Sequence, residues 1–215
     1  MFSLPDLYYG SFYLQMISYI LPVWVGCIYW SKLDNILRIF LVSILIACLI
    51  DTASWILSAK NIHNLYLGYL FTLNMFISRV IILLFFVKER LPRQLITFSA
   101  GLVLLVFAFD FGWIAGSDQH NAFSGSIANG WIIIGCLFCL RKLVMQTLIG
   151  LSRKPLFWMF TAVLIKKVFT FADSLFANYV LNNSLAGAYL LFSFTYLTSV
   201  AENILYARGF YLARK

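Results

Sequence analysis

The sequence predicts an all-α integral membrane protein, a single bundle of seven transmembrane helices. Three observations lead there. Of the 215 residues, 62% are hydrophobic and only 11% charged, where a soluble domain is about half apolar and a quarter charged. The apolar residues gather into seven runs, each close to the ~20 residues an α-helix needs to cross about 30 Å of hydrocarbon. Lys and Arg then fall almost wholly on one side of those runs, as in cytoplasmic loops.

The first run, 11–30, follows ten residues without Lys or Arg, and no small-residue cleavage site comes after it. It reads as a retained helix rather than a signal peptide. A short polar break with Lys32 and Asp34 leads to the second run, 36–58, and the Asn-rich stretch 61–64 leads to the third, 66–87. Lys88, Arg90 and Arg93 precede the fourth, 94–114, and residues 116–121 precede the fifth, 123–143. The next connection, around 144–151, lies between two basic pairs. It either extends the fifth helix or rests on the membrane surface as an amphipathic segment. Arg153, Lys154 and Pro155 open the sixth run, 156–178, and Asn182, Asn183 and Ser184 separate it from the seventh, 186–207.

Orientation follows from the loops. Lys32, Arg38, Lys88, Arg90, Arg93, Arg141, Lys142, Arg153, Lys154, Arg208, Arg214 and Lys215 share one side, and only Lys60 falls on the other. That asymmetry places the N-terminus outside and the C-terminus in the cytoplasm. It also accounts for the net charge of +8 without a nucleic-acid partner, because the cations are dispersed in short loops. The partners expected are the lipid bilayer, a cytoplasmic or membrane signalling protein, and further copies of the chain.

The second and third helices align with the sixth and seventh. Asp51 is followed 28 residues later by Arg79, and Asp173 is followed 29 residues later by Glu202, each pair bracketing an Asn-containing outer loop. Two three-helix units joined by a fourth helix would form a parallel repeat. This three-plus-one-plus-three layout is similar to that of SWEET-type carriers, PQ-loop proteins and opsins, a likeness of architecture that assigns no function.

Charges inside the helices carry the functional information. A charge at the bilayer centre costs about 2.5–3.5 kcal/mol on insertion scales, so such groups face the bundle or a water-filled cavity. Asp51, Asp173 and Asp110 fall in the outer third, Arg79 and Lys166 near the middle, and Glu202 inward of centre. Depth and sign suggest that Arg79 pairs with Glu202 and that Lys166 reaches Asp173 or Asp51. Lys166 and Asp173, seven residues apart, share a helical face, whereas Lys167 is turned by about 100°. Two readings stay open: ion pairs that fix helix registration, or a polar cavity open to the outer side. Asn74 and Lys167 are secondary candidates, and Asp110 reads as a solvated interfacial residue.

The sequence offers no catalytic, metal or cofactor set. The two histidines, His63 and His120, lie in different outer loops, too few nitrogen donors for a seven-helix zinc hydrolase. Cys136 and Cys139 form a Cys-x-x-Cys pair inside an apolar run, where packing is the simpler reading. Cys27 and Cys48 lie in apolar runs too. A retinal-type photoreceptor is a minor alternative: microbial opsins carry the Schiff-base lysine on the seventh helix, and here the candidates, Lys166 and Lys167, are on the sixth. Trp24, Trp30, Trp55, Trp113 and Trp158 fall near span ends, as interfacial anchors do.

Several short motifs add a resemblance. They are Asp51 with the loop Asn61-Ile62-His63-Asn64-Leu65-Tyr66, the sixth-helix opening Lys154-Pro155-Leu156-Phe157-Trp158 with Ala177-Asn178, and the C-terminal Asn203-Ile204-Leu205-Tyr206-Ala207-Arg208-Gly209-Phe210. On these the chain resembles an uncharacterised family of bacterial seven-helix integral membrane proteins. Members often carry an acidic residue where this chain has Asn74, and they lack the Lys166-Lys167 pair. Some are encoded near sensor histidine kinases, which implies a signalling role in the bacterial cytoplasmic membrane. The expectation is therefore a non-enzymatic sensor or accessory receptor built on Asp51, Arg79, Lys166, Asp173 and Glu202. The alternative is a small-solute or ion-coupled transporter using the same charges.

Overall fold

The computed structural model describes residues 3–114, 122–146 and 150–214. The expected outer loop at 116–121, with His120, and residues 147–149 of the fifth connection lie outside the described residues. The chain is all-α among the described residues, with seven long helices: α1 (Leu4–Ile28), α2 (Asn35–Ala59), α3 (Tyr66–Phe86), α4 (Arg90–Ile114), α5 (Ala122–Gln146), α6 (Pro155–Asn183) and α7 (Leu185–Leu212).

Local chemistry sets the helix ends. Ser3 and Asp6 form a reciprocal capping box and Pro5 sits in the first turn, so α1 begins a full turn or more before its most apolar stretch. Asp34 caps α2 by accepting from the Leu37 N–H at 2.8 Å, and Ser184 caps α7 by accepting from Gly187 at 3.0 Å. Asn61 adopts φ 55° after α2, a left-handed conformation that Asn tolerates better than most residues. The Asn64 amide then ties the loop back to the Ser54 carbonyl at 2.7 Å. α5 runs on to Gln146, so part of the fifth connection extends the helix.

Two helices are irregular. α1 breaks at Tyr19, three residues before Pro22, whose missing N–H and ring disrupt the preceding turn. α4 closes in a π-helical turn, Asp110–Ile114.

Six of the seven helices, α1 to α6, are long and apolar enough to cross a membrane. α7, at 28 residues, has the length, but Glu202, Asn203 and its Tyr, Ser and Thr residues lower its apolarity. The apolar surface points outward. Only 22–44% of each spanning window is buried, and Leu49, Leu91, Leu105, Trp113 and Ile134 are among many large apolar side chains left exposed. Water would not tolerate that surface; lipid does. The chain is a membrane protein.

α7 packs along α6 and α1, α6 along α5, and α3 against α2, α4 and α5. The helices meet around fully buried Phe40, Phe76, Phe160, Tyr206 and Phe210. Phe40 stands edge-on to Phe160 at 6.1 Å and tilts against Tyr206 at 5.8 Å. Close approach matters because helix association in lipid relies on van der Waals packing. A Cβ at Gly209 would come within 2.8 Å of the Met159 methyl and 3.2 Å of the Pro155 carbonyl, so glycine lets α7 lie against the start of α6. Cys136 and Cys139 are buried free thiols within the packed face of α5.

Candidate functional site

The interior of the bundle holds a polar network drawn from α1, α2, α3, α6 and α7. Its inner part centres on Arg79 of α3, which is 2% exposed. The guanidinium donates to the Tyr206 hydroxyl at 2.7 Å, and Tyr206 donates to Glu202 Oε1 at 2.6 Å. Further bonds run from Arg79 to Ser78 at 3.0 Å and Ser43 at 3.3 Å, and its charge lies 4.7 Å from the Phe40 ring centroid. The expected direct pairing of Arg79 with Glu202 is thus corrected. A phenol stands between them, because Tyr206 is one turn beyond Glu202 on the same face of α7.

Lys166 is also bonded differently from expectation. Its ammonium donates to the Thr195 carbonyl at 2.7 Å and to the Ser199 hydroxyl. Asp51, Asp173 and Glu202 lie within its electrostatic reach without touching it. The Thr195 carbonyl also accepts from the Thr198 and Ser199 hydroxyls of the same helix. Lys167 is 2% exposed. It makes no hydrogen bond or ion pair among the described residues, and Glu202, Arg79 and Cys136 act on it through space.

The part of the network toward Asp51 and Asp173 is acidic. Asp51 accepts from Tyr19 at 2.7 Å and from Gln15 at 3.0 Å; the two donors are four residues apart and so share the face of α1 turned to α2. Asp173 is buried, stands beside Thr195, and leaves Oδ1 without a partner. Tyr196 extends this region toward the start of α1, its ring tilted against Tyr8 and edge-on to Phe12. Tyr19, Ser199 and Tyr206 are the network members that charge-reading alone overlooked. The Glu202–Tyr206 spacing of four was the available signal.

Among the described residues, none of Asp51, Arg79, Lys166, Lys167, Asp173 and Glu202 pairs directly with another. The described ion pair is Lys142–Glu89, at 2.7 Å, between the last turns of α5 and the residue that precedes α4. There the Lys142 ammonium holds the Glu89 carboxyl below its usual value by hydrogen bonding.

Of the two described cavities, one touches the network at Ser43 and Ser78 and the other lies apart from Arg79 and Lys166. One, of about 400 Å³, runs between α2 and α3 along Arg38, Val42, Ser43, Asn74 and Ser78. The other, about 720 Å³, lies between α4, α5 and α6 and is largely apolar. Asn74 donates to the Ser43 carbonyl at 3.1 Å, joining α3 to α2 at the edge of the network around Arg79. Asp110 is the clearest correction. Expected to be solvated, it is fully buried and accepts from the Ser124 N–H at 3.0 Å, because the π-turn lays it against the first turn of α5.

Comparison with known protein families, with curated proteins and with solved structures gives no match.

Proposed function

We propose that the protein is a non-enzymatic membrane sensor or accessory receptor whose recognition element is the polar network inside the bundle. One observation carries this reading. Three cations, Arg79, Lys166 and Lys167, and three carboxylates, Asp51, Asp173 and Glu202, match in number, yet none pairs directly with another among the described residues: Tyr206 stands between Arg79 and Glu202, while Ser199 and Tyr19 bond Lys166 and Asp51. In a low-dielectric interior, direct pairing would recover much of the cost of burying charge. Holding the charges apart keeps Lys167 and one Asp173 oxygen unpartnered, and it equips the bundle for a zwitterionic or anionic solute. The phenols of Tyr19 and Tyr206 would be exchanged for ligand groups on binding.

In this reading all seven helices span the bacterial cytoplasmic membrane, with α7 completing the bundle through its buried polar face. The N-terminus is outside, so the acidic end faces outward. The cytoplasmic loops, with Arg90, Arg93, Arg141, Arg153 and Lys154, meet a signalling partner or anionic lipid. A carrier is the runner-up, favoured by the matching Asp51–Arg79 and Asp173–Glu202 separations of a parallel repeat.

The test is a thermal-shift screen of the protein in nanodiscs against small amino acids and dicarboxylates, followed by uptake of each hit in proteoliposomes. A receptor gains stability from a hit, loses that gain in Lys167→Met, and moves no solute. Saturable uptake that Lys167→Met abolishes would make the protein a carrier. If no solute shifts stability, the receptor reading is wrong and the network serves packing alone.

A further inference from the structure

Asp110 lies apart from the central network, and its surroundings pose a separate problem. It is fully buried where α4 meets α3 and α5. Oδ2 caps α5 by accepting from Ser124 N–H, but Oδ1 has no partner among the described residues. Two more buried oxygens beside it also lack a partner among the described residues: the Tyr69 hydroxyl from α3 and the Ser124 hydroxyl from α5. Tyr69 lies within electrostatic reach of Asp110, and its ring meets that of Phe111 edge-on at 5.3 Å. Neither buried lysine counts Asp110 among the charges acting on it, and no ion pair reaches it among the described residues.

An isolated buried carboxylate is costly and must be neutralised. The α5 N-terminus supplies about half a positive charge through its dipole, and that accounts for Oδ2. It leaves Oδ1 and the two hydroxyls without a role. The π-turn beginning at Asp110 adds carbonyl oxygens shifted from the regular helical ladder, and such turns recur at functional sites. A protonated Oδ1 would bond to one of the neighbouring hydroxyls, yet none of the three oxygens bonds to another. All the donors are hard oxygens, which suits an alkali or alkaline-earth cation rather than a soft metal. One carboxylate balances one positive charge; a divalent ion would leave an uncompensated charge in an apolar setting.

We propose that Asp110, Tyr69 and Ser124 form a binding site for a monovalent alkali cation, joining α3, α4 and α5 where α4 ends and α5 begins.

The experiment uses the full chain in nanodiscs, unfolded by heat at constant ionic strength in NaCl, KCl or choline chloride. A saturable rise in Tm with Na⁺ or K⁺ over choline is expected. Asp110→Asn should remove that rise while its amide oxygen still caps Ser124, and Tyr69→Phe should weaken it several-fold in midpoint concentration. Equal Tm in all three salts would overturn the proposal. So would an Asp110→Asn variant that keeps the full cation response. If Asp110→Asn does not fold, ²³Na line broadening on the wild type against Tyr69→Phe decides instead: broadening that Tyr69→Phe reduces supports the site, and equal broadening refutes it.

Discussion

Replacing Tyr206 by Phe removes one oxygen and keeps the ring, so it isolates the bridge between Arg79 and Glu202. The hydroxyl accepts from Arg79 at 2.7 Å and donates to Glu202 at 2.6 Å, two charge-assisted bonds. In soluble proteins each would contribute about 1.5–3 kcal/mol. Within a bilayer, interhelical hydrogen bonds average about 0.6 and reach about 1.7 kcal/mol. Arg79 keeps Ser43 and Ser78, which softens its loss, whereas no other bond to Glu202 is described. The expected cost is about 1–3 kcal/mol. Reversible unfolding of wild type, Tyr206→Phe, Arg79→Gln and the double variant measures it as a cycle. The double variant should cost less than the two single changes summed, by about 1 kcal/mol, since both act on one bridge. Strict additivity, or a neutral Tyr206→Phe, would refute the bridge as the element joining α3 to α7.

The two adjacent lysines should part company. Lys166→Met loses two hydrogen bonds and should destabilise the fold, whereas Lys167→Met removes a buried, unbonded charge and should be neutral or stabilising; the same unfolding assay reads both. Gly209→Leu should cost about 1–3 kcal/mol through overpacking against Met159 and Pro155, visible as a lowered Tm. Outside the membrane, Glu89 has a lowered folded pKa because Lys142 hydrogen-bonds its carboxylate. Its contribution is therefore present above the unfolded carboxyl pKa and is lost as pH falls through the folded one. The Tm gap between wild type and Glu89→Gln should be open at neutral pH and close on acidification below the ordinary Glu value of 4.5.

Seven helices were legible because lipid as solvent leaves a strong mark: apolar runs of spanning length broken by Asn, Pro and basic residues. Their ends were less so. The early start of α1 rests on Ser3 and Asp6, and a hydropathy run cannot register a cap. The buried charges could be found because a charge in an apolar run stands out. Their partners could not, because twelve tyrosines and many hydroxyls offer too many candidates, and the phenol that intervenes is fixed by packing. Tyr19 reaches Asp51 because it stands one turn from Gln15, on the face of α1 that meets α2. Asp110 was misread for the same kind of reason. Position near a helix end suggests solvent, but a π-turn and the start of α5 bury it, and neither is visible as a pattern of residue types.

In the proposed function, an outward-facing polar network inside the bundle receives a solute. Thr195 tests it most directly, since its carbonyl holds Lys166 and it stands beside Asp173. Thr195→Cys, in a background with Cys27, Cys48, Cys136 and Cys139 replaced by Ala, is treated in intact cells with a membrane-impermeant anionic methanethiosulfonate. Labelling from the outer side, slowed when Lys166 is changed to Met, is the expected result. A thiol that reacts only after denaturation, or only from the cytoplasmic side, would contradict the account.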